Sequence, residues 1–136
     1  MTGTTGSERG RAIVGEHRLQ LDMLAAVRKA IGDKLGREHV DSLLERLAEY
    51  TEIHFASEQM LMRLYAYPAY QGHVDEHDRT LTWLDTLRAS WRSGDGELAT
   101  EAANELSRWI EGHMRRADRA FETYLDELDA AADPAK

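Results

Sequence analysis

Apolar residues recur at steps of three and four along most of the chain, and this spacing predicts amphipathic helices. Only two prolines occur in 136 residues, so little interrupts a helical body. Three breaks, at 34–36, 65–68 and 93–96, each carry a residue that ends or restarts a helix, which makes four helices. The predicted core positions are Ile13, Leu21, Leu24, Ile31, Val40, Leu44, Leu47, Leu61, Tyr65, Tyr70, Leu81, Leu84, Leu98, Leu106, Trp109, Ile110 and Phe121.

The connections between the predicted helices are short, which makes consecutive helices antiparallel neighbours. The expected fold class is therefore all-α, an antiparallel up-down-up-down four-helix bundle. Residues 1–10 are small and polar with three glycines and are expected to form a flexible tail, and residues 129–136 are expected to fray. The bundle itself is expected to span residues 11–128, as one domain.

Composition narrows the partners and the kind of metal chemistry. A formal net charge of −8 disfavours attraction to nucleic acid or to an anionic membrane surface, so neither is expected as a partner. No apolar run approaches the ~20 residues that span a bilayer, and the N-terminus lacks the apolar stretch of a secretory signal, so a cytoplasmic protein is expected. Because there are no cysteines, any bound metal must take nitrogen and oxygen ligands.

Histidines and carboxylates interrupt the apolar stripes in phase with them, and are therefore expected to point into the core. Two pairs are four residues apart, so their side chains lie one helical turn from each other. The sixth histidine, His39, lies 15 residues before His54 on the same predicted helix, which is about 22 Å along the helix axis. It is expected to be an ordinary surface residue. The inward-facing set is His17, His54, Glu58, His73, His77, His113 and Asp118.

Antiparallel helices place two residues at the same level when both are equally far from the turn that joins them. The midpoint of 17 and 54 is 35.5, at the first break, and the midpoints of 54 with 77 and of 58 with 73 are 65.5, at the second. The midpoints of 77 with 113 and of 73 with 118 are 95 and 95.5, at the third. All seven residues are thus expected to share one layer.

One spacing in the set is irregular. His113 and Asp118 are five residues apart, which leaves about 140° between their side chains on an ideal α-helix. For both to face the same layer, the helix must be distorted between them. We therefore predict a local distortion such as a π-bulge in this segment.

Any one of these residues alone could be a satisfied core histidine or a partly exposed polar group. Seven in one layer are different, because each unsatisfied buried polar group costs roughly 1–3 kcal/mol and a domain is stable by only about 5–15 kcal/mol. Bound metal removes this difficulty. Five imidazoles and two carboxylates exceed the needs of one tetrahedral zinc ion and suit two six-coordinate ions, so a dinuclear centre is expected.

A lone histidine followed by H-x-x-x-E, H-x-x-x-H and H-x-x-x-x-D resembles the hemerythrin family, including its single-domain bacterial members. The motifs lie at 17, 54–58, 73–77 and 113–118, and the resemblance covers roughly residues 12–125. It implies an oxo- or hydroxo-bridged pair of iron ions, with one position open to dioxygen on the two-histidine iron. The implied three-histidine set, two-histidine set and bridging pair are His73, His77 and His113; His17 and His54; Glu58 and Asp118.

The resemblance implies reversible dioxygen binding, for oxygen storage, delivery or sensing, with no substrate turned over. Trp109, Ile110 and Met114 surround His113 in sequence and are candidate lining residues of a dry oxygen pocket, although bundle packing explains them equally well. One departure from the family pattern is Gln59, where an acidic residue commonly follows the ligand glutamate.

The sequence pattern leaves other functions open. The same centre could reduce peroxide or nitric oxide, or oxidise iron, if its pocket admits a second reactant. It could instead act as an iron- or oxygen-responsive sensor module. Ferritin-like di-iron oxidases are a weaker alternative, because their E-x-x-H motif does not occur anywhere in this chain.

Overall fold

The chain reverses direction at each of the three predicted breaks. The computed structural model describes the backbone of residues 8–132 and the side chains of residues 17–132. Each of the four helices packs against the next one in the chain, and the first helix also packs against the fourth. The predicted antiparallel four-helix bundle is therefore confirmed. Its elements are α1 (Glu8–Gly32), α2 (Arg37–Leu64), α3 (Tyr70–Arg92), α4 (Gly96–His113), a π-helical segment (Met114–Asp118) and α5 (Arg119–Ala132).

Each of the three turns uses one residue in the left-handed region of backbone space. Lys34 has φ 56°, Ala66 has φ 51° and Gly94 has φ 85°. In the first turn the N–H of Leu35 donates to the carbonyl of Ala30 at 3.0 Å, which caps the end of α1. Glycine adopts this conformation without steric cost, whereas the lysine and the alanine do so against their Cβ atoms.

The interior contains two apolar clusters separated along the bundle by the polar layer. The larger cluster fills the end nearest the α1–α2 and α3–α4 turns, and includes Leu24, Leu47 and Leu106. The smaller cluster, with Met62, Phe121 and Leu125 fully buried, lies toward the α2–α3 turn. The polar layer is therefore enclosed by apolar packing at both ends.

Most predicted core positions are buried or half-buried, but Leu98 is an exception. Its side chain is 47% exposed, and the positions buried in this part of α4 are Ala99, Ala102 and Ala103. Leu98 lies in the first turn of the helix, where the Asp95 side chain accepts a hydrogen bond from its N–H at 3.0 Å and sets the register. The Ile13 side chain lies outside the described residues.

Helical structure extends beyond the predicted bundle boundaries of 11 and 128. α1 already begins at Glu8 and α5 continues to Ala132, where three consecutive alanines, the best helix formers, end the described chain. The remainder of the two predicted tails, residues 1–7 and 133–136, lies outside the described residues. None of the described helices is both long enough and apolar enough to cross a membrane.

Candidate metal centre

The fourth helix of the bundle, which runs from α4 through the π-helical segment into α5, contains the predicted distortion. Between His113 and Asp118 the backbone forms a π-helical segment, Met114–Asp118. A π-turn holds more residues than an α-turn, and the extra residue rotates the side chains that follow it. His113 and Asp118 are consequently both buried, with His113 Nε2 and Asp118 Oδ1 2.9 Å apart. The prediction of a π-bulge here is confirmed.

All seven inward-facing residues of the sequence pattern meet in one buried layer. They form two overlapping groups, and within each group the atoms able to bind a metal lie within 4.8 Å of one another. Glu58 belongs to both groups. His39 lies on the exposed surface, as expected. The two groups are Glu58, His73, His77, His113 and Asp118; and His17, His54 and Glu58.

Each carboxylate directs one oxygen toward each set of histidines. Glu58 Oε1 lies 2.8 Å from His73 Nε2 and 2.9 Å from His77 Nε2, while its Oε2 lies 3.3 Å from His17 Nε2. Asp118 repeats the arrangement, with Oδ1 2.9 Å from His73 Nε2 and Oδ2 3.0 Å from His17 Nε2. A carboxylate that faces two sets of ligands in this way is suited to bridging two cations.

Hydrogen bonding alone does not satisfy the layer. His113 Nδ1 donates to Glu76 Oε1 at 2.8 Å, so in the neutral ring Nε2 carries a lone pair. That lone pair lies 2.9 Å from Asp118 Oδ1, and neither buried atom has a hydrogen-bond partner of good geometry in the described part of the chain. Two electron-rich atoms this close repel each other unless a proton or a metal cation lies between them. The donor set of imidazole nitrogens and carboxylate oxygens therefore fits a metal.

Without a bound cation, the carboxylates of the layer favour protonation of His73. Burial lowers the pKa of His73, but the adjacent Asp118 and Glu58 carboxylates outweigh it and raise that pKa to about 9. Burial raises the pKa of Glu58, yet hydrogen bonds from His17, His73 and His77 bring it well below its ordinary value. Both effects favour an imidazolium beside a carboxylate, which is the charge arrangement that a bound cation would replace.

Comparison with known proteins agrees with this geometry. The family model described as the hemerythrin HHE cation binding domain matches residues 10–125. The chain belongs to the hemerythrin family.

Several proteins named bacteriohemerythrin are similar to the chain. The one from Ralstonia nicotianae is 32% identical over 84 residues, which are 62% of this chain but only 61% of that protein. The one from Stenotrophomonas maltophilia is 29% identical over 115 residues, 85% of this chain and 72% of that protein. The one from Pseudomonas paraeruginosa is 26% identical over 113 residues, 82% of this chain and 71% of that protein. No solved structure matches the chain significantly.

Within this hemerythrin fold, further residues contact the histidines from outside the layer. Glu76 accepts hydrogen bonds from both His113 Nδ1, at 2.8 Å, and Arg116 Nη1, at 2.6 Å. Gln59 Oε1 accepts from His77 Nδ1 at 2.9 Å. Glu76 was not predicted as a site residue from the sequence, although it lies inside the H-V-D-E-H motif. Its signal was weak because a residue beside a ligand histidine on a helix points to a different side from that ligand.

Aromatic residues also hold the histidine rings. Phe55 stacks on His77 with ring centroids 3.8 Å apart and planes 4° apart, and its side chain is buried. Of the candidate pocket residues, Ile110 is buried in the larger apolar cluster, and Trp109 and Met114 pack against that cluster while half-buried. Trp109 is further held by a 2.7 Å hydrogen bond from its indole N–H to Thr80 Oγ1.

Proposed function

We propose that the chain is a non-haem di-iron protein that binds dioxygen reversibly. In this proposal Glu58 and Asp118 would bridge a pair of iron ions that also share an oxo or hydroxo group. The observation that carries it is the two-sided placement of Glu58 and Asp118, each with one oxygen toward either histidine set. The proposed ligands of the first iron, the second iron and the bridge are His73, His77 and His113; His17 and His54; Glu58 and Asp118.

The inequality of the two histidine sets supports an open position. Three imidazoles belong to one set and two to the other, and Glu58 and Asp118 each direct one oxygen toward either set. An ion held by His17 and His54 would therefore have one protein ligand fewer, which would leave room for a small molecule. Iron supplies the electrons for reversible dioxygen binding there, and the protein supplies the geometry and the exclusion of water.

The surrounding residues favour binding over turnover. Apolar clusters at both ends of the layer limit the entry of water. We propose that Trp109, Ile110 and Met114 form part of the lining of the oxygen pocket. Their positions one helical turn or less from His113 support this role.

Metal analysis and a reversible oxygen titration together test the proposal. We expect about two irons per chain and, after anaerobic reduction, an absorption band that appears with oxygen and disappears on deoxygenation. One iron per chain, or zinc alone after expression with ample iron, would contradict it. Rapid irreversible oxidation or sustained consumption of peroxide or nitric oxide would instead favour an enzyme.

Two substitutions on α2 provide a matched comparison. His54→Ala should lower the iron content, because it removes one of only two imidazoles on the second ion. His39→Ala lies on the same helix but at the exposed surface, and should leave the iron content unchanged. Equal iron content in both variants would refute the ligand assignment.

A further inference from the structure

A buried polar pair, Gln20 and Thr51, lies directly beside the layer of candidate metal ligands and has no role in the function proposed above. Gln20 follows His17 by three residues on α1, and Thr51 precedes His54 by three on α2. The midpoint of 20 and 51 is 35.5, the same as that of 17 and 54, so the two residues are level with each other. The Gln20 amide nitrogen donates to Thr51 Oγ1 at 3.2 Å, and their exposed fractions are 2% and 1%.

This pair is an exception in its part of the bundle. At the next level toward the α1–α2 turn, the corresponding positions are Leu24 and Leu47, both buried and apolar. A leucine pair could equally fill the space beside the metal layer without needing a hydrogen bond, since apolar replacement of both partners is nearly neutral. Packing therefore does not explain why these two positions are polar.

Thr80 on α3 is another buried polar residue at this level, and its one O–H donor is already used. It donates to the carbonyl of Glu76 at 2.9 Å and accepts from the indole of Trp109 at 2.7 Å. Gln20 differs, because its amide nitrogen carries two hydrogens and Thr51 accepts only one of them. In the described part of the chain, no other hydrogen bond from this nitrogen is present. Among the described residues, the second N–H therefore has no acceptor.

The position of the pair indicates what would accept from this N–H. Glu58 lies one turn from His54 toward the α2–α3 turn, whereas Gln20 and Thr51 lie one turn away in the opposite direction. A small molecule held on the His17 side of the centre, away from the Glu58 bridge, would be next to the Gln20 amide. Residues one turn apart on a helix face have Cβ atoms only about 5–6 Å apart, which is within reach of a glutamine side chain.

We propose that Gln20 donates a hydrogen bond to the small ligand bound on the His17/His54 side of the centre, and that Thr51 holds the amide in place. This inference rests on the proposed function and adds a ligand preference to it. An N–H donor next to the open position favours ligands that carry negative charge or accept hydrogen bonds. The oxidised centre is therefore expected to take small linear anions more tightly than an apolar pocket would.

Azide titration of the iron-loaded, oxidised protein, followed by visible absorption, tests this preference. Gln20→Met keeps the side-chain length but removes the donor, and should weaken azide binding about tenfold or more, as expected for a hydrogen bond to a charged group. Thr51→Val keeps the shape but releases the amide, and should weaken binding by a smaller factor, about two- to tenfold. Thr86→Val is the matched control, because it makes the same change at an exposed position of α3 where the hydroxyl donates to the Thr82 carbonyl of its own helix at 3.0 Å, and it should change azide binding less than twofold.

Iron content and thermal melting are measured on every variant, which separates the two proposals. If the unmodified protein loads two irons but Gln20→Met and Thr51→Val both bind azide as tightly as it does, the role of Gln20 is wrong and the di-iron assignment stands. If Thr86→Val weakens azide binding as much as Gln20→Met, the loss does not depend on a donor beside the centre, and the inference is overturned. Failure of the unmodified protein to load two irons instead contradicts the proposed function itself.

Discussion

Replacing Glu76 with alanine should weaken metal binding about 10- to 100-fold while the bundle remains folded. The Glu76 carboxylate accepts hydrogen bonds from His113 Nδ1 at 2.8 Å and from Arg116 Nη1 at 2.6 Å. The bond from His113 fixes both the tautomer and the orientation of the ring, so that Nε2 faces the candidate metal pair. Without Glu76 the ring can rotate or place its proton on Nε2, and either change competes with metal binding.

The two contacts of Glu76 should contribute unequally because they differ in burial. The His113 side chain is 4% exposed, whereas the Arg116 side chain is 61% exposed. Removing the acceptor of a buried N–H costs about 1–3 kcal/mol, and an exposed ion pair contributes less than about 1 kcal/mol. We therefore expect Glu76→Ala to lower the free energy of unfolding of the metal-free protein by about 2 kcal/mol. Arg116→Ala should lower it by less than half of that.

Urea denaturation followed by circular dichroism measures the stability of each metal-free variant, and competition with a coloured chelator measures metal affinity. Glu76→Gln retains an oxygen that can accept from His113 and should recover most of the lost affinity. Arg115→Ala is the matched control, because Arg115 is the neighbour of Arg116 in the π-helical segment but its ion-pair partner among the described residues is Glu111, at 3.9 Å, and its side chain is 81% exposed.

Two results would refute this reasoning. If Glu76→Ala bound metal within twofold of the unmodified protein, the His113 ring would not depend on Glu76 for its position. If Arg115→Ala lost as much affinity as Glu76→Ala, the cause would be a general disturbance of the π-helical segment.

Three other perturbations should give measurable effects. The free energy of unfolding of the metal-free protein should fall as pH rises from 6.5 to about 9, because the raised pKa of His73 makes its protonated form a stabilising partner that is lost on deprotonation. Urea denaturation across this range should show the decline, and the metal-loaded protein should not show it. Phe121→Ala removes a fully buried ring and should lower the free energy of unfolding by about 3–5 kcal/mol in the same assay. An unchanged free energy of unfolding would refute the place of Phe121 in the core. Gly94→Ala forces a Cβ into φ 85° and should cost about 1 kcal/mol or more, whereas Gly96→Ala, at ordinary φ with no atom near the added Cβ, should not destabilise.

The positions of the seven candidate ligands could be predicted from the sequence because they follow from helix periodicity. The ligand spacings of four residues are a property of any α-helix, and the midpoints of residue numbers follow from antiparallel packing with short turns. Even the π-helical segment was foreseeable, because His113 and Asp118 could not otherwise share a face. Leu98 was predicted wrongly because periodicity does not reveal where a helix begins. The cap at Asp95 sets that register.

Contacts between helices, in contrast, have no fixed spacing in sequence. Gln59 on α2 contacts His77 on α3, and Glu76 on α3 contacts His113 on α4. The hydrogen bond between Gln20 and Thr51 joins residues that are 31 apart in sequence. By itself the sequence determined the bundle, the turns and the level of the seven candidate ligands, because each depends on local helix geometry. The tertiary structure decided which oxygen faces which histidine set, which rings have outer partners and where the polar pair lies, because those depend on side-chain positions across interfaces that no repeat in the chain encodes.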